Sequence, residues 1–292
     1  MISRSFSIAG CLVFLALASI SVASQKMTAE ELVAKHLDSI AAIDKRTGLK
    51  NLVARGNVSF TALRQAGTGG DGQIVMASDA ERSLIGMAFR IPNYPGETIV
   101  YDGKKLKVAF ASGNARSYLG DYLFRFDDIV KEGLLGGTLA RSWTLANLDL
   151  KKPKLKYDGT KSVEGREAVV LDYTPRRGSD LNIKLYFDSK TFQHIRTEYR
   201  ATIAVQQGQR VGGSGSGADA ADRSSQQREV RQTLTEDFSN FKKVNDINLP
   251  HSHKMYLRLE DIRGVREYEF KSEYFEFFFN QDLDPNSFNT AG

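Results

Sequence analysis

His251 and His253 stand two apart in a stretch that continues in the same phase to Met255 and Leu257. On a strand such a pair points to one side, as two ligands of a metal would. A metal site wants three or four ligands, and no carboxylate or further histidine has matching spacing. The pair is read as two histidines at a strand start, near the rim of a cavity. "GTGGDG" at 67–72 matches the glycine spacing of a dinucleotide fingerprint, which must open a helix after a strand. Here "QIVMAS" follows, another strand pattern, so the motif is a hairpin loop. "GGSGSG" does not fit the G-x-S-x-G elbow of a serine hydrolase. His36 falls on the apolar stripe of a helical pattern and reads as half-buried. Acidic residues fall mostly on polar strand faces, and no two of them present themselves as an acid and base pair. The expectation is a protein that is not an enzyme, with no catalytic residue, no metal ligands and no cofactor.

The elements that would carry these residues are mostly strands. Thr28 to Glu31 forms an S/T-x-x-E capping box. Behind it Val33, His36, Leu37, Ile40 and Ile43 recur at helical spacing, predicting one amphipathic helix over 28–44. Then the period changes to two. Val58, Phe60 and Ala62 alternate with polar residues, and so do Ile85, Met87, Phe89 and Ile91. "IVYDGKKLKVAF" is a hairpin turned by Asp102-Gly103, with Leu106, Val108 and Phe110 on its return strand. Residues 115–148 regain helical periodicity, broken by Gly133, Gly136 and Gly137. This predicts two short helices around a glycine joint, a movable lid. Alternation then resumes, in sets that include Leu185 with Phe187, Ile195 with Tyr199, and Leu234 with Phe238. Residues 208–227 form a low-complexity glycine-serine insert. The fold class is mainly β (α+β): about ten antiparallel strands in one curved sheet, its apolar face covered by an N-terminal helix and the central lid.

"EYEFKSEYFEFFFN" at 267–280 puts seven aromatics into fourteen positions. Their phase is even at Tyr268 and Phe270 and odd at Phe275 and Phe277, which predicts a bulge or bend near Tyr274. A curved sheet with that much aromatic surface under a loose cover suggests a large apolar cavity. The candidate lining is Phe60, Met87, Phe89, Leu106, Val108, Leu185, Phe187, Tyr268, Phe270 and Phe277 from strands. Leu135, Leu139 and Trp143 join it from the lid. An acyl chain gains about 0.8 kcal/mol per buried CH₂, on the order of 10 kcal/mol for a long chain before costs.

The N-terminus sets the compartment. Arg4, an apolar run from Ile8 to Ile20 and the small residues of "SVASQ" have the layout of a cleaved secretory signal over 1–24, leaving one domain over 25–292. The run is shorter than a membrane-spanning helix. "IAGC" looks like a lipobox, but most of the apolar run follows Cys11, so a lipid-anchored form at Cys11 is not expected. Cys11 is the only cysteine, which leaves the mature chain without a disulfide. The formal charge of +5 is spread along the chain. It does not argue for nucleic acid, though it could assist contact with an anionic membrane surface.

In order, several stretches resemble the periplasmic lipoprotein carriers of the LolA/LolB-like, outer-membrane lipoprotein-sorting family. They are "FRIPNYPGETIVYDGKKLKV", "VEGREAVVLDY", "DLNIKLYFDSKTFQHIRTEYR", "FSNFKKVNDINLPHSHKM" and "FFFNQDLDPNSF". The resemblance spans nearly all of the mature chain. It implies an incomplete antiparallel barrel whose helices form a lid over an apolar cavity. It also implies a periplasmic carrier of acyl chains, lipids or lipoproteins in outer-membrane transport, with membrane-bound donor and acceptor proteins as partners. A regulatory or assembly protein on the same scaffold, sensing lipid and binding a protein partner, is the alternative. Where that family places an arginine directly before a proline after an early strand, this chain has Ile91 before Pro92, with Arg90 one residue earlier.

Overall fold

The computed structural model describes residues 27–65, 67–92, 94–110, 116–203, 230–261 and 264–290. The expected signal at 1–24 and insert at 208–227 lie outside them. Five strands come first: β1 (Leu52–Ala62), β2 (Gly69–Ser78), β3 (Ser83–Phe89), β4 (Gly96–Tyr101) and β5 (Leu106–Phe110). Seven follow the helical segment: β6 (Lys154–Val163), β7 (Arg166–Thr174), β8 (Leu181–Asp188), β9 (His194–Ile203), β10 (Val230–Val244), β11 (Ile247–Asp261) and β12 (Gly264–Phe279). They make one antiparallel sheet of twelve strands in the order β5-β4-β3-β2-β1-β12-β11-β10-β9-β8-β7-β6. The first and last strands pair in its middle. Its edges, β5 and β6, do not pair with each other, so the barrel stays open. They are consecutive in the chain, so the segment joining them must cross from one edge to the other. It crosses on the apolar side and covers it.

That crossing segment holds α3 (Tyr118–Arg125), α4 (Asp128–Lys131), two 3₁₀ turns and α5 (Leu148–Lys151). α3 starts on Ser117, whose hydroxyl accepts the Gly120 N–H at 2.8 Å. The glycines do not leave a loose joint here. Gly133, Gly136 and Gly137 have φ of 72°, 80° and 51°, conformations that other residues rarely adopt. A Cβ on Gly137 would lie 2.8 Å from His194 Nδ1, and one on Gly133 2.0 Å from Ser142 O. Glycine is present because the backbone packs tightly against the sheet, and the expected movable joint is a buried turn.

The N-terminal helix starts as expected, with both halves of the Thr28–Glu31 capping box formed. It does not run to residue 44. α1 (Ala29–Ile40) ends where Ala41 turns extended and is buried with Leu52, Ile247 and Leu249; α2 (Ile43–Thr47) restarts the helix outside. Burying Ala41 against that cluster outweighs helix continuity, which an alanine would otherwise favour.

The bulge expected near Tyr274 is present. Arg55 pairs with Glu276 and Gly56 with Tyr274, so Phe275 is the extra residue. It points outward and is 58% exposed, contrary to its sequence phase. A second bulge lies between Tyr186 and Phe187 in the β8–β9 register. It turns His194 inward and puts Ile195 in a small outer cluster with Val170 and Tyr186, reversing the expected inward placement of Ile195.

Candidate functional site: an aromatic cleft at one end of the sheet

Where β1 ends and β12 begins, Phe60 and Phe270 are cross-strand partners, and Phe60 is also opposite Gly70 of β2. Their rings lie 5.1 Å apart, and Tyr94 of the β3–β4 connection sits 4.8 Å from Phe60. Phe89 stacks on Tyr94 at 5.2 Å, and Tyr118 at the start of α3 stacks on Tyr268 at 5.1 Å. The rings of Phe60, Tyr94, Tyr118, Tyr268 and Phe270 line a half-open cleft of about 720 Å³, with Ile91 and Pro92 on one wall and Phe89 behind Tyr94. Gly70 makes room for that wall, since a Cβ there would be 2.9 Å from Ile91 Cγ1. The glycine-rich stretch is a turn at Gly67 that runs directly into β2. It opens no helix.

The rim is cationic and aromatic. Arg90 and Arg116 line it and are exposed. The Arg116 guanidinium lies 3.5 Å from the Phe124 ring centre, and that of Arg266 lies 4.8 Å from the Tyr118 ring centre. Tyr118 and Phe124 are both 46% exposed. Asp121 is the acid among the lining residues.

Behind the cleft lies a group the sequence reading missed. Glu97 of β4 is completely buried, accepts the Tyr94 O–H at 2.9 Å and is 2.7 Å from the Ser117 hydroxyl. Burial pushes its carboxyl up to about 7, against the opposing hydrogen bonds from Ser117 and Tyr94, with Asp121 adding to the rise. Ser117 thus caps α3 and ties it to β4 through Glu97.

The expected lining residues divide between two environments. Phe60, Tyr268 and Phe270 face the cleft, and Phe89 belongs to its ring cluster. Met87 and Val108 are buried and Leu106 half-buried in the same apolar cluster, while Phe277 is half-buried beside His251, 4.9 Å ring to ring. Leu135, Leu139, Trp143, Leu185 and Phe187 are packed in the closed interior, at 5%, 1%, 1%, 0% and 0% exposure. There the crossing segment fills the concavity with its own side chains.

That interior is held by buried polar groups. His36 Nδ1 donates to Phe192 O at 3.0 Å, and its Nε2 accepts the Trp143 Nε1–H at 3.0 Å. This pairing requires a neutral ring. Burial lowers its pKa to about 4, a nearby Arg46 charge contributing and the Phe192 bond opposing. His36 is wholly buried, where the sequence suggested half. His194 stacks on Trp143 at 4.7 Å and meets Thr197 Oγ1 at 2.8 Å. Glu236 has no exposure and gathers the Gly136 N–H at 2.8 Å, the Tyr199 O–H at 2.7 Å and His253 Nε2 at 2.9 Å. His253 is therefore deep in the interior and not at a rim.

Glu97 and Glu236 were legible in principle. Glu97 is in phase with Ile99 and Tyr101, and Glu236 with Leu234 and Phe238, so each carboxylate occupied an inward position of a strand. Among the described residues no group of three or more histidine, cysteine or acidic side chains could hold a metal. No described helix is long and apolar enough to cross a membrane. What the cleft can do chemically is bind an amphiphile, apolar part on the rings and polar part at the arginines.

No known family profile matches the chain, and no curated protein does. Solved structures do. One is a LolA superfamily protein from Nitrosomonas europaea, 16% identical, covering 90% of this chain and 98% of its own, with a TM-score of 0.48. This chain is similar to LolA-like proteins. A domain designated as an outer membrane lipoprotein-sorting protein from Vibrio parahaemolyticus is 12% identical over 89% of this chain and 97% of its own, at 0.46. A DUF1329 family protein from Desulfovibrio piger ATCC 29098 is 11% identical over 90% and 97%, also at 0.46. No ligand or partner follows from a LolA-like course of the chain at these scores.

Proposed function

We propose that the protein is an exported, periplasmic carrier that shelters acyl chains of lipids or lipoproteins in the aromatic cleft for outer-membrane transport. The cleft itself supports this reading: about 720 Å³, floored by Phe60, Tyr94, Tyr268 and Phe270 and rimmed by Arg90 and Arg116. Its size falls in the range of roughly 300–1,000 Å³ typical of small-molecule sites. Apolar rings suit methylenes, and guanidinium groups suit an anionic or strongly polar headgroup. No covalent step is needed for carriage. Phe60, Tyr94, Tyr268 and Phe270 are the residues on which we place the chain, with Phe89 backing Tyr94. The test is purification without detergent, followed by lipid extraction and mass spectrometry. A stoichiometric lipid that is lost in a Tyr118→Ser variant of unchanged melting temperature supports the reading, since Tyr118 is an exposed rim residue whose loss leaves the core intact. An empty protein that also takes up no lipid when offered it sinks the reading.

A second reading, an envelope regulator that binds a protein partner, is favoured by the outer face of the β12 bulge. Phe275 and Phe278 are 58% and 38% exposed there. Capture of a stable partner that Phe275→Ser abolishes, with an empty cleft, would favour it.

A further inference from the structure

At the end of the sheet opposite the cleft, where β1 and β11 begin, a second pocket of about 250 Å³ opens beside the α1–α2 elbow. Its walls are apolar, with Leu37, Leu52, Ile247 and Leu249 among them. Four polar residues also line it: Thr47, whose hydroxyl donates to Ile43 O within its own helix, and three others, Arg46, Thr138 and Arg141. The bonding of these three is incomplete. Arg141 is half-buried and donates Nε–H to Leu49 O at 2.6 Å and Nη1–H to Asn147 Oδ1 at 2.8 Å. Both acceptors are neutral. Among the described residues it makes no ion pair. The acid whose charge it feels, Asp79, is engaged by Arg82 at 2.7 Å. The Thr138 hydroxyl and Arg46 Nη1 are buried, and neither has a partner. Arg46 reaches Asp38 only through Nη2, at 3.4 Å.

A cation taken partly out of water without a counter-charge is destabilising, and so is a buried hydroxyl with no partner. The fold keeps both in residues that line one apolar pocket. We propose that this pocket binds a medium-chain monocarboxylate, its tail against Leu37, Leu52, Ile247 and Leu249 and its carboxylate taken by Arg141, Arg46 and Thr138. A carboxylate has the acceptor geometry that a guanidinium fork and a hydroxyl together fill. The small volume limits the tail to medium length. Ile43, 69% exposed, lies at the lip as the apolar edge past which such a tail would enter. The site shares no lining residue with the aromatic cleft and does not depend on what the cleft carries.

Octanoate is the probe. It is titrated into the full chain and followed by calorimetry and by emission of Trp143, which lines this pocket and not the cleft. Saturable binding is expected, with octanol, which has the same tail and no charge, about tenfold weaker or worse. Thr138→Val keeps the shape and removes the hydroxyl; it should weaken octanoate severalfold at unchanged melting temperature. Arg141→Gln should lose about tenfold, and Arg141→Lys should recover part of that. Tyr118→Ser, at the cleft mouth, should leave octanoate binding intact. The proposal fails if octanoate gives no saturable signal, if octanol binds equally well, or if Thr138→Val and Arg141→Gln, both folded, bind octanoate as the parent does. It fails also if Tyr118→Ser abolishes the signal, which would place octanoate in the cleft.

Discussion

The two halves of the concave face are built from the same kind of strand and end in opposite states. Around Trp143 and Phe187 the crossing segment presses turns and side chains onto the sheet, and buried histidines and Glu236 tie it down. Around Phe60 and Phe270 the described residues of the same segment contribute only Arg116 and the start of α3, and the space is left to a cleft. Both regions are aromatic and apolar. The difference is how much covering chain arrives at each. An apolar concavity becomes core where the cover supplies matching volume, and a binding site where it does not.

Substitutions should separate the two regions by size of effect. Phe187→Ala in the closed half should cost about 3–5 kcal/mol in urea unfolding. A cost below about 1 kcal/mol would mean this half is looser than its burial indicates. Leu135→Asp belongs to the same class, since Leu135 is 5% exposed, and it should impair folding before it reports on any lid.

The next effect is pH-dependent and places Glu97 and His36 in opposition. The folded-state pKa of Glu97 is raised from 4.5 to about 7, so folding favours its protonated form. Its contribution is complete below pH 4.5 and is lost as pH rises through 7. Over that window about 3 kcal/mol of stability should disappear, at about 1.4 kcal/mol per pKa unit. His36 is lowered from 6.5 to about 4, so its contribution is complete above pH 6.5 and is lost as pH falls through 4. The two slopes offset each other where they overlap. Comparing Glu97→Gln with the parent cancels His36: the variant should gain relative to the parent between pH 5 and pH 7.5, measured by urea midpoints. A pH-independent difference would mean that water or a cation reaches Glu97.

Smaller effects test the backbone. Gly137→Ala meets both a φ of 51° and His194 Nδ1 at 2.8 Å, and should cost about 1–3 kcal/mol. Gly67→Ala at the cleft mouth has φ of 75° and nothing within 4 Å, so only its conformational cost of about 1 kcal/mol should appear. Equal losses at the two sites would erase the distinction between a packed turn and an open one. Last, Tyr118→Ser at the rim should change stability by about 0.5 kcal/mol or less, while weakening lipid uptake. A rim substitution that destabilises and leaves uptake intact would reverse the assignment of the cleft as a site.

Local chemistry was readable wherever neighbours along the chain decide the outcome. The Thr28 capping box, the Asp102-Gly103 turn, the inward phase of Phe60, Met87 and Leu185, and the bulge beside Tyr274 needed only periodicity and turn stereochemistry. That phase also contained Glu97 and Glu236, and the sequence reading passed over them because an acid on a strand is expected to face water. Which inward residues border open space was not readable. Phe60 and Phe187 have the same residue type and the same kind of strand. Their fates differ because, among the described residues, the chain between β5 and β6 crosses over one and stops short of the other. The break at Ala41, the outward turn of Phe275 and the inward turn of His194 have the same origin. Alternation along one strand says which side a residue takes. The packing of segments far apart in sequence decides where that alternation slips, and which apolar surface is left for a ligand.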